Sequence, residues 1–434
     1  MNQLAAWITS AVALTPQATA LIACGEALSF SALAERSTAA ASTAVNTPAL
    51  RAYAYSFQGV PFFPLDPTLP QPRRDALLEQ SRAWLGACSA KVAPVELLIA
   101  TSGSSGEPKC VMLSGENLAA SVAASHTRLP LQQGDVWLDC LPLYHIGGMS
   151  ILYRCAAARA TVLLHEGFDA RRVWDDLIRY RVTHISLAPA MLARLLDLAH
   201  GAQPPDTLKY ALVGGGALSG TLAARAAGWP LCVSYGMSET ASQLATLSPL
   251  PEDWTPGCVG TPLPGFEVRI AAQDATGVGV IQARGAAVMM GYAHPARECG
   301  SGLQDGWLTT GDLGRLDGSG QLYVLGRRDD MLVSGGVNVH PVEVEAMLLR
   351  CPGVRDVALT ALPDETWGDR LVALVVGDAE LECLAAWCHD NMASALRPRI
   401  MLNVAALPRN ALGKLERMKL KHMAQELILK TAFG

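Results

Sequence analysis

The chain has 434 residues, 34 of them Lys or Arg and 39 Asp or Glu, so its formal net charge of −5 is too slight and too evenly spread for a nucleic-acid or anionic-surface binder. Half of the residues are hydrophobic and only 17% are charged, which supplies a large core and excludes a disordered chain. At about 150 residues per domain the length suggests some three compact units, and the expected partner is a small molecule.

No apolar stretch reaches the roughly 18 uncharged residues of a membrane span. The first basic residue is Arg36, so a secretory leader would lack its basic head, and a cytoplasmic location is expected. The eleven cysteines are scattered, and even Cys383 and Cys388 lack metal-knuckle spacing, so reduced, buried thiols are expected. Short β-rich runs then alternate with helical stretches: Val95–Ala100 before Gly103, Ala160–Leu164 before Arg171–Tyr180, His184–Leu187 before Met191–Ala199, and Tyr210–Val213 before Gly214–Gly216. That alternation implies crossover units and a mainly parallel sheet with helices on both faces. After about Gly257 the texture changes to short strands and Gly turns, at 268–270, 279–283 and 321–325, which predicts a small antiparallel β subdomain. A boundary follows at Gly326–Asp330, and a helix opens at Pro341 with Glu343 and Glu345 near the positive end of its dipole. The fold class is α/β: a large N-terminal domain, 1–329, of parallel sheet, helices and the β subdomain, then an α+β C-terminal domain, 330–434.

The most informative stretch is Thr101, Ser102, Gly103, Ser104, Ser105, Gly106, Glu107, Pro108 and Lys109, after an apolar strand. Glycines permit tight turns, hydroxyls and backbone N–H groups wrap phosphate oxygens, and Lys109 adds a point charge. A Walker loop is excluded, because Gly106 and Lys109 are separated and Cys110 stands where a magnesium-binding hydroxyl would be required. Gly214, Gly215 and Gly216 end a strand at the carboxyl edge of the sheet, where open α/β sheets bind ligands, and their missing side chains would let a flat base approach. Tyr235 can stack on it.

Four further motifs follow: Tyr235-Gly-Met-Ser-Glu-Thr240, Thr310-Gly-Asp312, Gly326-Arg-Arg-Asp329 and Pro408-Arg-Asn-Ala-Leu-Gly-Lys414. With the phosphate loop, from about Tyr55 to Arg417, the chain resembles the AMP-forming acyl-CoA synthetases, the luciferase-like adenylating enzymes. The resemblance implies ATP, Mg2+ and CoA as cofactors and cosubstrates. It implies that Gly236 and Ser238 lie at the nucleotide, Ser238 touching phosphate, and that Glu239 holds magnesium. Asp312 would accept both ribose hydroxyls, assisted by Arg327. Lys414 would be the catalytic residue of adenylation, bridging attacking and leaving groups as charge builds on the α-phosphate. Asp329 would be the hinge on which the C-terminal domain, a mobile lid, turns between half-reactions. Gly335 and Gly336 would face the pantetheine channel, with an ordinary hairpin turn as the competing reading.

The segment Leu141-Pro-Leu-Tyr-His145-Ile-Gly-Gly-Met-Ser150 is similar to the family's aromatic-His gate. His145 is therefore set beside Lys414 as a catalytic candidate bordering the acid, and Gly147 and Gly148 leave it space. These segments together are most similar to the o-succinylbenzoate-CoA ligases of menaquinone biosynthesis. Arg154, on the apolar helix that follows, needs an anion, either a substrate carboxylate or one of the protein's own. Two departures stand near the start: the strand and helix expected between Ala44 and Tyr55 are largely missing, and the stretch from Leu78 to Val95 is short. The expected function is ATP-dependent activation of a carboxylic acid to an acyl-adenylate and its transfer to CoA; delivery of another aryl or fatty acid to CoA or a carrier-protein thiol is the alternative. A homodimer is compatible with the sequence but does not follow from it.

Overall fold

The computed structural model describes residues 1–39, 48–86, 94–101, 109–294, 300–334, 337–364, 367–409, 413 and 415–433. At its centre lies an eight-stranded sheet in the spatial order Ser242–Leu247, Leu231–Met237, Tyr210–Val213, His184–Leu187, Val136–Asp139, Thr161–Leu164, Thr19–Ala23, Glu26–Ser29. Its six inner strands run parallel and only the two edges are antiparallel. Parallel neighbours need crossovers, and helices Ile146–Ala158, Ala170–Arg179 and Pro189–Ala199 supply them. Their starts are written locally: Asp169 accepts the Arg172 N–H at 2.7 Å, and Pro189 stands in the first turn, where no N–H is needed. Strands buried on both faces are mainly apolar, as in Thr161–Leu164; in His184–Leu187 the two buried polar side chains are hydrogen-bonded, His184 to Thr183 and Ser186 to Trp137.

The strand expected at Val95–Ala100 is present as Val95–Thr101, but it does not join the large sheet. It pairs antiparallel with Lys109–Ser114, whose other edge takes Gly291–His294, in a separate three-stranded sheet. The connection 102–108 is shorter than the dozen residues a parallel crossover needs, so the chain folds straight back. In the segment where the sequence lacks the expected strand and helix, an amphipathic helix, Pro48–Gln58, buries Ala49, Ala52 and Tyr53. The antiparallel subdomain is built from Phe266–Ala271, Gly279–Gly285, Leu303–Gln304, Trp307–Leu316 and Leu322–Arg327. A single turn of 3-10 helix, Arg328–Asp330, leads out of it.

Beyond this turn the paired strands Val354–Asp364 and Gly368–Gly377 carry a period-two pattern. Leu371, Ala373 and Val375 pack towards helices Pro341–Leu348 and Leu381–Asn391, while Val372 and Leu374 pack under helix Arg417–Phe433. Leu332–Ser334 and Val337–Val339 pair antiparallel; Gly335 and Gly336 between them lie outside the described residues. Lys419 and Lys421 are exposed on the last helix, as expected of ordinary surface charges.

Arg417 ties this region together. Its Nη2 donates to Glu345 at 3.1 Å and its Nη1 to the Leu359 carbonyl at 2.9 Å, with Asp330 3.8 Å from Nε. Replacing Arg417 by Ala strands a carboxylate that is mostly buried and a strand carbonyl, and is expected to cost about 2 kcal/mol, read as an earlier midpoint in urea unfolding.

Candidate active site

The parallel strands end along one edge, and the residues following them gather there. After Met237 the chain makes one 3-10 turn, Ser238–Thr240, and returns antiparallel as Ser242–Leu247. The crossing is tight. A Cβ on Gly236 would lie 2.7 Å from the Ser242 carbonyl carbon and 2.8 Å from the Gln243 Cα, so only glycine fits. Ser242 itself takes a φ of 121°, a conformation that side chains rarely adopt.

Tyr235, on the outgoing strand, donates its hydroxyl to Asp312 Oδ2 at 2.6 Å, and Arg327 Nη1 lies 3.5 Å from the other oxygen. Asp312 is buried, and the neighbouring Gly311 leaves room for the guanidinium, since a Cβ there would come 2.7 Å from Arg327 Cζ. Burial first, and the Asp312 carboxylate second, hold the Tyr235 hydroxyl well above its usual range, so it donates at any ordinary pH. Gly214 lies against Ser234, whose Oγ would be 2.7 Å from a Cβ there; Gly215 and Gly216 are exposed.

Glu239 accepts a hydrogen bond from the Tyr292 hydroxyl at 2.8 Å, and Lys109 Nζ sits 5.1 Å from the centre of the same ring. Lys109 and Glu239 are thus gathered on one aromatic side chain that no sequence motif singles out. Tyr292 reaches them through pairing of Gly291–His294 with Lys109–Ser114, a contact between distant segments that no local pattern signals. Thr101 Oγ1 donates to the Lys109 carbonyl at 3.3 Å; residues 102–108, with Ser102, Gly103, Ser104, Ser105 and Gly106, lie outside the described residues. Among the described residues no three potential ligands cluster around a metal, but one carboxylate suits Mg2+, which is commonly held by one or two carboxylates plus substrate phosphates.

The tail reaches this edge as well. Lys414 lies outside the described residues, but its neighbour Gly413, at φ +73°, is so close to helix Pro189–Ala199 that a Cβ would lie 2.6 Å from the Ala190 Cβ. Gly216 faces Pro189 of the same first turn, at 3.7 Å by the same measure. Arg409 braces the loop, donating to the Gly413 carbonyl at 2.8 Å and to Asp356 at 2.8 and 2.9 Å. Asp329 is exposed in the 3-10 turn, 3.9 Å from Arg328.

His145 stands at the head of helix Ile146–Ala158, its ring 4.6 Å from that of Tyr144. Burial lowers its pKa and Asp66 only partly opposes this, so the imidazole is neutral at pH 7. Gly148 is required by packing, since a Cβ would lie 2.8 Å from the Pro142 carbonyl oxygen, and Gly147 lies against Leu141. Arg154 is 1% exposed; Nη2 donates to Ser242 Oγ at 3.0 Å, and its guanidinium lies 5.4 Å from the Trp137 ring centre. Ser150 Oγ is 3.3 Å from the same Ser242 oxygen and donates to the Gly147 carbonyl at 3.1 Å, linking Arg154 to the gate segment.

The AMP-binding enzyme family matches residues 88–293, and the AMP-binding enzyme C-terminal domain matches 343–414. The chain belongs to this family and is an AMP-forming acid-CoA ligase. Within it, a 2-succinylbenzoate-CoA ligase of Bacillus pumilus is 38% identical over 331 residues, 74% of this chain and 67% of that protein. That of Bacillus subtilis is 37% identical over 332 residues, 75% of this chain and 68% of that protein. The solved o-succinylbenzoate CoA synthetase (MenE) of Bacillus subtilis, in complex with the acyl-adenylate intermediate OSB-AMP, is 31% identical, with 96% of this chain and 97% of that one covered and a TM-score of 0.84. The same enzyme with ATP and a magnesium ion gives a TM-score of 0.83 at 31% identity, covering 96% and 99%. No helix among the described residues is long and apolar enough to cross a membrane.

Gly236→Ala puts a methyl group into backbone with no side-chain give, and is expected to abolish ATP–pyrophosphate exchange while the far-UV spectrum persists. Equal exchange in the variant and the parent would refute the close crossing.

Proposed function

We propose that this chain converts 2-succinylbenzoate, ATP and CoA to 2-succinylbenzoyl-CoA, AMP and pyrophosphate, the step its relatives serve in menaquinone biosynthesis. One observation carries the choice of acid: a buried arginine, Arg154, linked through Ser242 and Ser150 to Gly147 of the gate segment. A dicarboxylate loses one carboxylate to the phosphate and keeps the other, which a guanidinium can pair with in a dry pocket. The match to a structure holding OSB-AMP supports the same reading.

In this reading residues 1–329 bind nucleotide and acid, and 330–434 form a lid that turns about Asp329. The loop Thr101–Gly106 and Lys109 hold the phosphates, with Ser238. Gly214–Gly216 and the Tyr235 ring receive adenine, and Gly236 permits the tight backbone crossing beside them. Asp312, oriented by Tyr235 and Arg327, accepts the ribose hydroxyls. Glu239, steadied by Tyr292, would hold Mg2+, which neutralises phosphate charge when bound. His145, neutral and packed on Tyr144, borders the acid with Gly147 and Gly148. The acid's carboxylate oxygen attacks the α-phosphorus and pyrophosphate leaves. Lys414, carried by the loop on Ala190, stabilises the charge that develops on the phosphoryl oxygens. The CoA thiol then attacks the acyl carbon and AMP departs.

Lys414→Ala is expected to slow acyl-AMP formation at least about a hundredfold while sparing conversion of pre-formed acyl-AMP to the thioester, both followed in single-turnover assays. Equal loss in the two half-reactions would remove Lys414 from its role. Arg154→Ala is expected to raise KM for 2-succinylbenzoate about a hundredfold, the equivalent of roughly 3 kcal/mol, and to leave a monocarboxylate of similar shape little changed. If both acids suffer alike, the acid is another one. Thioester formation on a carrier protein but not on CoA would favour the secondary-metabolism alternative.

A further inference from the structure

Asp139 closes strand Val136–Asp139, and Arg154 lies within the helix that follows. Both are sealed from water, at 0% and 1% exposure. Asp139 Oδ1 accepts the Leu141 N–H at 3.0 Å, whereas Oδ2 has no hydrogen-bond partner; Arg154 Nε has none either. A buried donor and a buried acceptor left open are each costly, and these two carry opposite charges. The groups whose charge bears on Arg154 are Asp139, Cys155 and, from the C-terminal end of helix Gly115–His126, His126. Burial holds the Cys155 thiol well above its usual range and lowers His126 to about 4, so both are neutral at pH 7. Asp139 forms no ion pair with Arg154, but it stands two residues beyond Trp137 on the same strand, and so on the same face as the ring over which the guanidinium packs.

We infer that Asp139 is the resting counter-charge of Arg154, a positioning residue that sets how tightly the second carboxylate of the acid is held. This rests on the dicarboxylate reading above. In the free protein the carboxylate offsets a buried cation that would otherwise be uncompensated. An arriving substrate carboxylate must share the guanidinium with it, and like charges side by side are unfavourable, so Asp139 restrains the affinity it helps to make possible. Burial pushes its carboxyl well above the usual range while Arg154 pulls it down.

Asp139→Asn keeps the acceptor for Leu141, removes the charge and offers an N–H to the incoming carboxylate. Steady-state kinetics with 2-succinylbenzoate and with the monocarboxylate analogue, on the parent, Asp139→Asn and Arg154→Ala proteins, test the inference. The expected result is a KM for the dicarboxylate about tenfold lower in Asp139→Asn, with the effect in KM rather than kcat and none on the analogue. The dicarboxylate should also raise the melting temperature of the variant by more than that of the parent. An unchanged or higher KM in Asp139→Asn, with Arg154→Ala still selective, overturns the counter-charge role alone. Loss of that selectivity in Arg154→Ala overturns the dicarboxylate reading and this inference with it. Should Asp139→Asn not fold, Asp139→Ser removes the same charge and is read in the same way.

Discussion

The backbone crossing between Gly236 and Ser242 is the constraint on which the rest of the site depends. It forces the chain to reverse within one short turn at the carboxyl edge of a parallel sheet. The outgoing strand presents Tyr235 to Asp312, the turn presents Glu239 to Tyr292, and the returning strand presents Ser242 to Arg154. Three regions remote in sequence are thereby set by one hairpin: the β subdomain, the small three-stranded sheet and the gate helix. The unfavourable φ of Ser242 is stored where the surrounding contacts over-determine it.

Around this hairpin the polar groups differ in how they meet burial. Tyr235, Asp312 and Arg327 satisfy one another within the protein. Arg154 and Asp139 retain open hydrogen-bonding positions in the protein interior. Under the proposed function, preorganisation on one side and unmet demand on the other suit a cosubstrate that is always the same and an acid that must be selected.

Much of this could be read from the residues alone. Strands His184–Leu187 and Tyr210–Val213 have the bounds their short β-rich runs suggest, and the helix at Pro341 begins where its proline says. The glycines at 214–216, the acid at 312 and the loop before 414 are local signatures, because turn geometry is written in adjacent residues. What could not be read depends on distant pairing. The strand Val95–Thr101 carries the same apolar run whether it joins a parallel sheet or turns back; its partner at 291–294 decides, and with it the place of Tyr292. Likewise Arg154 announces only a need for an anion. That Asp139 stands by with one oxygen open follows from how a helix packs on a strand, which composition does not encode.

The meeting of Gly413 with Ala190 has a mechanical consequence. Arg409 holds the Gly413 carbonyl, and Gly413 meets Ala190 with a hydrogen atom where any other residue would carry a side chain. So small a contact surrenders little dispersion energy when it parts. The contact sets how near these two segments can come, and contributes almost nothing to holding them together.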